Sequence, residues 1–469
     1  MSLTRAYAET LHALFGQGLD APAHEAASRL LQDGIAVGVA GASEPGPTIL
    51  RQLASANGAA AAASMIGGGR TSPAEAARAN GGAMHVLDWE PMWNPANHSL
   101  STTLPAVLAL AEASARKAGP FSSKPGFAIT GERLMTALVI GIEAQARMRR
   151  ASGQLDPGQL KFHPPGAVGA FGAATACSLL LGLDVAMLTH SLAIAASRAA
   201  GIQANIGSMT KALHCGEAAA AGLESAMMAA AGFTGDADSI GDPRGYGQAL
   251  YGATFEPAHL TATGVPLSVV TPGPAWKLFP SQYGTHFAIT AALSARQQIM
   301  ELGRTPDAIE AVTMHTPAMP YIDRPAPATG LAGKFSFQYT TAAALLDGAV
   351  TVASFKDQRR FASDMVAMLE RIKLKPDAAR EGRFDRLRLD IEVTLAGGQR
   401  VTANCDGPPG IWGRPVSAAR LEEKWQGALR ESVGAVRGEK IVAAARALPR
   451  GDAGSLLGLM DVCAELAPV

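Results

Sequence analysis

The sequence predicts a mostly α-helical protein in which a large all-helical bundle, formed by both chain ends, carries a smaller inserted α+β unit. Three observations predict it. From the start to about residue 265, one helical stretch follows another, with alanine and glycine on most faces. After Val270 the texture changes: Pro272, Pro274 and Pro280 crowd a short segment, and period-two alternation appears downstream. Helical patterning then returns near residue 418 and persists towards the C-terminus. The boundaries that follow are 1–270 with 410–469 for the helical domain and 271–409 for the α+β domain.

Taken in order, the first long helix follows Asp20 and Pro22, with Ala26, Leu30, Leu31 and Ile35 on one face, and stops in the glycine-rich region 38–46. Further helices are expected at 105–117, 131–148, 167–183, 186–200 and 209–231. Small residues let helix axes approach closely, so several of these should be buried on all sides. In the second unit, 309–315 alternates weakly. The span 387–395 alternates strictly, with Leu387, Leu389, Ile391, Val393 and Leu395 on one face, and Gly397-Gly398 turns the chain into 400–404. Helical runs at 335–347 and 363–372 lie between these strands. Helices return at 418–448, followed by a helical tail.

Composition narrows the function. The 469 residues carry 40 basic and 40 acidic side chains, so there is no cationic excess to read nucleic-acid phosphates. Charged residues are only 17% of the chain against about 25% in an average soluble protein, so a charge inside an apolar segment stands out. The start, MSLTRAYAET, is not a secretory signal, and a cytoplasmic protein is expected. The uncharged run between His163 and Asp184 begins Pro-Pro and is rich in glycine, which fits a packed interior helix rather than a membrane span. Cys177, Cys215, Cys405 and Cys463 form no CxxC pair, which leaves no case for an iron–sulfur cluster, structural zinc or disulfide framework.

Familiar signatures fail in detail. Gly67-Gly68-Gly69 lacks nucleotide-loop spacing, and Asp236, Asp238 and Asp242 lack the closing ligands of a calcium loop. His85 and Asp88 have no evident third metal ligand, so no metal is expected. What remains is a set of polar residues at glycine or proline breaks beside apolar helices. They are His85, Asp88 and His98; His163; Ser208, Lys211 and His214; Lys277 and His286; and Tyr339. Five of the ten histidines fall in these segments. Such breaks place side chains at the rim of a bundle, where a pocket forms. Two lysines with several histidines suit a small polyanion, and the Gly207-Ser208 break would aim backbone N–H groups at a carboxylate. Burial would bring the pKa values of these cations towards neutrality for proton transfer, and nearby cations would stabilise a carbanion or enolate beside a carboxylate. Bond making or breaking next to a carboxylate is the chemistry implied.

The segments ANGGAMHVLDWE, NHSLSTTLPAVLALAE, FHPPGAVGAFGAA, GSMTKALHCGEAAAAGLESA with GFTG, WKLFPSQYGTH and FSFQYTTAAALLDGAVTVASF, in that order and across most of the chain, resemble the MmgE/PrpD family. That family includes 2-methylcitrate dehydratase, cis-aconitate decarboxylase and iminodisuccinate epimerase. The resemblance implies a helical domain built from both ends, an inserted lid domain, a homodimer, and cofactor-independent lyase chemistry on a small di- or tricarboxylate, most like cis-aconitate decarboxylation. Dehydration and epimerisation are the alternatives, and a catalytically silent carboxylate-binding protein is the alternative of another class. Position by position, it implies that His98 acts as general acid/base oriented by Asp88 and that Lys211 and Lys277 clamp carboxylates. His163 and Tyr339 would bind or protonate the intermediate, with Met92, Ser208, His214 and His286 as further substrate contacts. The sequence departs from the family pattern at Glu90-Pro91, at Met92, where decarboxylases carry a threonine, at Ser99-Leu100 after His98, and at Gln282-Tyr283.

Overall fold

The computed structural model describes residues 2–118 and 128–465. The fold is mostly α. In the helical body, α1 (Leu3–Gln17), α2 (Ala21–Gly41) and α3 (Pro45–Ala56) lead into a two-stranded hairpin, β1 (Ala63–Ser64) and β2 (Arg70–Thr71). Next come α4 (Pro73–Val86), α5 (Ser99–Ala115), α6 (Gly131–Ala151), α7 (Pro164–Leu180), α8 (Val185–Ala196) and α9 (Thr210–Ala230), then the short α10 (Tyr246–Tyr251) and α11 (Ala258–Thr261).

The centre of the body is α7, every residue of which is buried. Close approach is built on missing side chains. A Cβ at Gly216 of α9 would sit 2.3 Å from the Arg78 carbonyl oxygen of α4, and one at Gly222 would sit 2.4 Å from that of Ala170 on α7. The run that resembled a membrane span is α7 itself, and no described helix is long and apolar enough to cross a membrane. Helix α5 starts at Ser99, six residues before the expected 105, because Pro105 lies inside the helix rather than at its first turn.

The second unit begins with α12 (Tyr283–Glu301), an element that the sequence does not single out. It continues through β3 (Ile309–Pro317), α13 (Gly330–Gly333), α14 (Phe337–Asp347), α15 (Asp357–Arg360), α16 (Ser363–Arg371), β4 (Ile372–Asp377), β5 (Leu389–Leu395) and β6 (Arg400–Cys405). The sheet order is β4-β3-β5-β6, with β3 and β4 parallel and the other pairs antiparallel. Strand β5 buries Leu389, Ile391, Val393 and Leu395, as its alternation predicts. Strand β4 escapes prediction because only Ile372 of it is fully buried, so it shows no period of two, whereas the other edge strand, β6, buries alternate residues. The chain then returns as α17 (Ala418–Val433), α18 (Ala435–Ala447) and α19 (Ala453–Ala464). Leu421, Trp425, Ile441 and Leu459 of these helices share one apolar core with Leu30, Leu108 and Phe171. The residues of α12, α14 and the sheet form a separate core.

Candidate active site

Three helix N-termini open onto one pocket. His98 is the N-cap of α5, His163 is the N-cap of α7, and Lys211 lies in the first turn of α9. The positive ends of these helix dipoles favour an anion. The segment between α4 and α5 brings Asp88 and Glu90 to the same point. Asp88 adopts φ +50°, the left-handed region that few non-glycine residues occupy, and its N–H donates to His85 O at 2.8 Å. The pocket is open at its mouth. Asp88, Met92, Asn97, His98, His163 and Lys211 line it from the body, and Gln282, Tyr283, Tyr321 and Phe384 line it from the second unit.

The hydrogen bonds fix protonation states. Lys211 Nζ donates to Asp88 Oδ2 at 2.9 Å and to His85 Nε2 at 2.7 Å. An ammonium only donates, so His85 Nε2 carries a lone pair, and the His85 proton sits on Nδ1, which donates to Glu90 Oε1. Ser101 Oγ also donates to Glu90 Oε1, at 3.0 Å. Two of the three Lys211 protons are thereby committed, and the ammonium also lies 5.3 Å from the centre of the Phe335 ring. His98 stands between two carboxylates, its Nδ1 3.2 Å from Glu90 Oε1 and its Nε2 3.6 Å from Asp88 Oδ1. His163 Nδ1 and His214 Nδ1 lie 3.2 Å apart, so one donates and the other accepts. The rings of His98, His85, His163 and His214 form a chain with centroid steps of 4.7, 5.5 and 5.3 Å.

Burial governs the titrations. It pulls His98 down to about 3, helped by Lys277, and His214 down to about 4, and it lowers His85 and His163 as well. Burial alone would raise Asp88, but Lys211 and Lys277 outweigh it and hold that carboxyl well below the usual range. Glu90 behaves likewise, with His85 and His98 as the compensating neighbours. Neutral imidazoles therefore sit among two carboxylates and two ammonium groups. Arg149, also buried, bonds to Ala96 O, Ser152 Oγ and Gln154 O, all of them neutral acceptors. Buried Lys334 donates to Val86 O. The charge around the pocket thus leans positive. Among the described residues, His85, Glu90 and His98 place one donor atom each within 4.8 Å of one another, a spacing that could hold a metal. His85 already spends Nδ1 on Glu90 and Nε2 on Lys211, which leaves it no free lone pair for an ion.

Of the residues expected from sequence, Asp88, Met92, His98, His163 and Lys211 line the pocket, and His214 backs His163. Four are placed differently. Lys277 is completely buried beneath Asp88 and gives its three protons to Asp88 Oδ1, Asp88 O and Ser281 O, so none remains to clamp a ligand. Tyr339 lies in the core of the second unit, with its hydroxyl on Ser354 O at 2.5 Å. Ser208 is exposed and turns its hydroxyl to Asn205 O at 2.8 Å, and the Ser208 N–H is spent on the same carbonyl. His286 packs between Phe279 and Tyr283 outside the pocket lining. Sequence reasoning missed Glu90 as a site acid and Tyr321, whose hydroxyl accepts from Gln282 Nε2 at 3.2 Å. Glu90 could have been found as a second acid in an apolar, charge-poor segment; Tyr321, between two prolines, carries no local signal.

Comparison with known proteins accounts for nearly the whole chain. The MmgE/PrpD N-terminal domain matches residues 5–258 and the MmgE/PrpD C-terminal domain matches residues 279–449. The chain belongs to the MmgE/PrpD family. Within it, the chain is 33% identical over 361 residues to a cis-aconitate decarboxylase of Mus musculus, covering 76% of this chain and 72% of that protein. It is 34% identical to the Homo sapiens cis-aconitate decarboxylase over 76% of this chain and 73% of the other. A cis-aconitate decarboxylase of Aspergillus terreus is 30% identical over 45% of this chain and 42% of its own length.

Proposed function

We propose that this protein is a cofactor-independent lyase for a small di- or tricarboxylate, and that cis-aconitate decarboxylation is its reaction. The observation that carries the proposal is the Asp88–Lys211–His85–Glu90 network beneath His98, a proton-handling array whose lysine lines the pocket. Similarity to cis-aconitate decarboxylases supports the choice of substrate.

In this reading Lys211 and the three helix N-termini bind carboxylates. The departing carboxylate leaves as CO₂ and its bonding pair forms a new C=C bond. The original π pair moves to the carbon beside another carboxylate, and that carbanion takes one proton. The overall reaction consumes a proton, which His98 delivers. Its imidazole is neutral in the empty pocket. An entering polyanion raises its pKa, so substrate and proton arrive together. His163 binds the substrate, and His214 sets the tautomer of His163. Lys277 acts on Asp88 rather than on the ligand. Met92 presents a thioether where the decarboxylases carry a threonine hydroxyl, so the substrate's polar groups are met by other residues of the pocket. The active species is a homodimer located in the cytoplasm.

The deciding assay incubates the protein in D₂O with cis-aconitate and follows CO₂ and deuterium. Stoichiometric CO₂ with one deuteron on the carbon beside a carboxylate is expected. Water elimination from 2-methylcitrate without decarboxylation would replace this reading with dehydration. Exchange on iminodisuccinate alone would replace it with epimerisation, and binding without turnover of any of the three would make the protein a carboxylate binder. Sedimentation as a stable monomer would remove the dimer.

A further inference from the structure

Three buried lysines reach one short stretch of backbone from three directions. Lys334, ahead of α14, donates to Val86 O at 3.1 Å; Lys277, ahead of α12, donates to Asp88 O at 2.9 Å; and Lys424 on α17 donates to Trp89 O at 2.8 Å. Val86 ends α4 and Asp88 and Trp89 follow it, so helix geometry leaves these carbonyls without intrahelical partners, and no described backbone N–H reaches them. Between them sits Asp88, at φ +50°. A residue in that region persists only where its surroundings over-determine it.

Each lysine is itself fixed. Lys424 Nζ also pairs with Asp33 Oδ1 at 2.7 Å, an oxygen that Trp425 Nε1 holds at 2.8 Å, and it lies 5.4 Å from the centre of a Trp89 ring. Lys334 Nζ lies 5.7 Å from the centre of the Phe355 ring, and the Lys334 carbonyl accepts from Gln282 N–H of the pocket wall at 3.1 Å. The stretch that carries both site carboxylates is therefore pinned at once by the helical body, through the returning C-terminal helix, and by the second unit.

We propose that Lys334 and Lys424 are positioning residues: they grip the carbonyls on either side of Asp88, so that Asp88 faces the pocket, and Glu90 meets His85 and His98 behind it, only while the two units are seated on each other. The inference deepens the proposed function and rests on it for its kinetic consequence alone. Its structural consequence needs no substrate.

The test compares Lys334→Met, Lys424→Met and Lys334→Arg with the wild-type chain. Amide exchange over residues 86–98, read by mass spectrometry, is expected to accelerate about tenfold or more in both Met variants, while peptides from α7 and β5 keep wild-type rates. Lys334→Arg, which retains a cationic donor, restores slow exchange. With cis-aconitate, kcat falls roughly 10- to 100-fold and KM stays within about threefold. Unchanged exchange over 86–98 in both Met variants overturns the proposal, as does a uniform rise across the chain, which would mean general destabilisation. If the wild-type protein turns over no polycarboxylate, the proposed function fails while the exchange comparison still decides the lysine clamp.

Discussion

The helical body and the inserted unit contribute unlike things to the same pocket. From the body come Asp88, His98, His163 and Lys211; from the other side come Gln282, Tyr283, Tyr321 and Phe384, none of them charged. Burial raises the Tyr283 and Tyr321 hydroxyls, so they stay protonated. In the proposed reading, proton handling belongs to helix ends packed in the helical body, and ligand shape belongs to a wall of rings and amides. The difference teaches that precision is placed where packing is densest. A helix cap held by neighbouring helices cannot drift, whereas an aromatic wall tolerates adjustment.

That division is open to attack, beginning with its largest consequence. Lys211→Ala and His98→Ala should each lower turnover of cis-aconitate by about 10²- to 10⁴-fold, measured in single-turnover reactions on protein whose circular dichroism is unchanged. If Tyr321→Phe costs as much, chemistry is not confined to the body. The packing contrast comes next. Gly216→Val drives side-chain carbons into the Arg78 carbonyl and should cost about 3 kcal/mol or more by urea unfolding. Gly397→Ala, at the β5–β6 turn with open space around it, should cost only about 1 kcal/mol, from its φ of +89°. Equal losses would erase the difference in rigidity.

Acid should then weaken both units. His98 and His286 are each pulled by burial from 6.5 to about 3, so below pH 6.5 the unfolded chain binds protons that the folded chain refuses. Stability is complete above pH 6.5 and falls by about 1.4 kcal/mol per pH unit for each ring until pH nears 3. Asp88 and Glu90, held below their usual values, add a loss only at lower pH, below about 4. Thermal melts at pH 7.5 and 5.5 should show the decline, and a flat profile would mean that these imidazoles are protonated in the fold. The smallest effect is expected at the wall. Tyr321→Phe should raise KM by roughly tenfold with kcat within about threefold, the scale of one lost hydrogen bond. A fall in kcat instead would make Tyr321 part of the chemistry.

Much of this was legible in the chain. Strand β5 announced itself because one face is buried and the other is not, and α7 did so because a long uncharged, glycine-rich run has few other homes. His98, His163 and Lys211 stood out as polar residues at breaks beside apolar helices. Strand β4 did not, since beyond Ile372 its residues are not fully buried and so impose no alternation, whereas β6, the opposite edge, buries every second residue and was legible. Lys277 was misread because a lysine near a carboxylate site looks the same whether it points at the ligand or beneath the acid. Tyr339 lies in the core of the second unit while Tyr321 lines the pocket, and no local pattern separates two such tyrosines.

Local pattern, composition and motif order alone determined the helical character, the alternating strands and the family, because each depends on residue type and near-neighbour spacing. Tertiary structure alone decided which way each side chain faces and which protons are spent. It set the Lys211 ammonium against His85, spent Lys277 on Asp88, and closed three lysines around one left-handed aspartate. Those outcomes depend on contacts between residues more than a hundred positions apart, and hydrogen-bond saturation can be counted only once all the partners are in place.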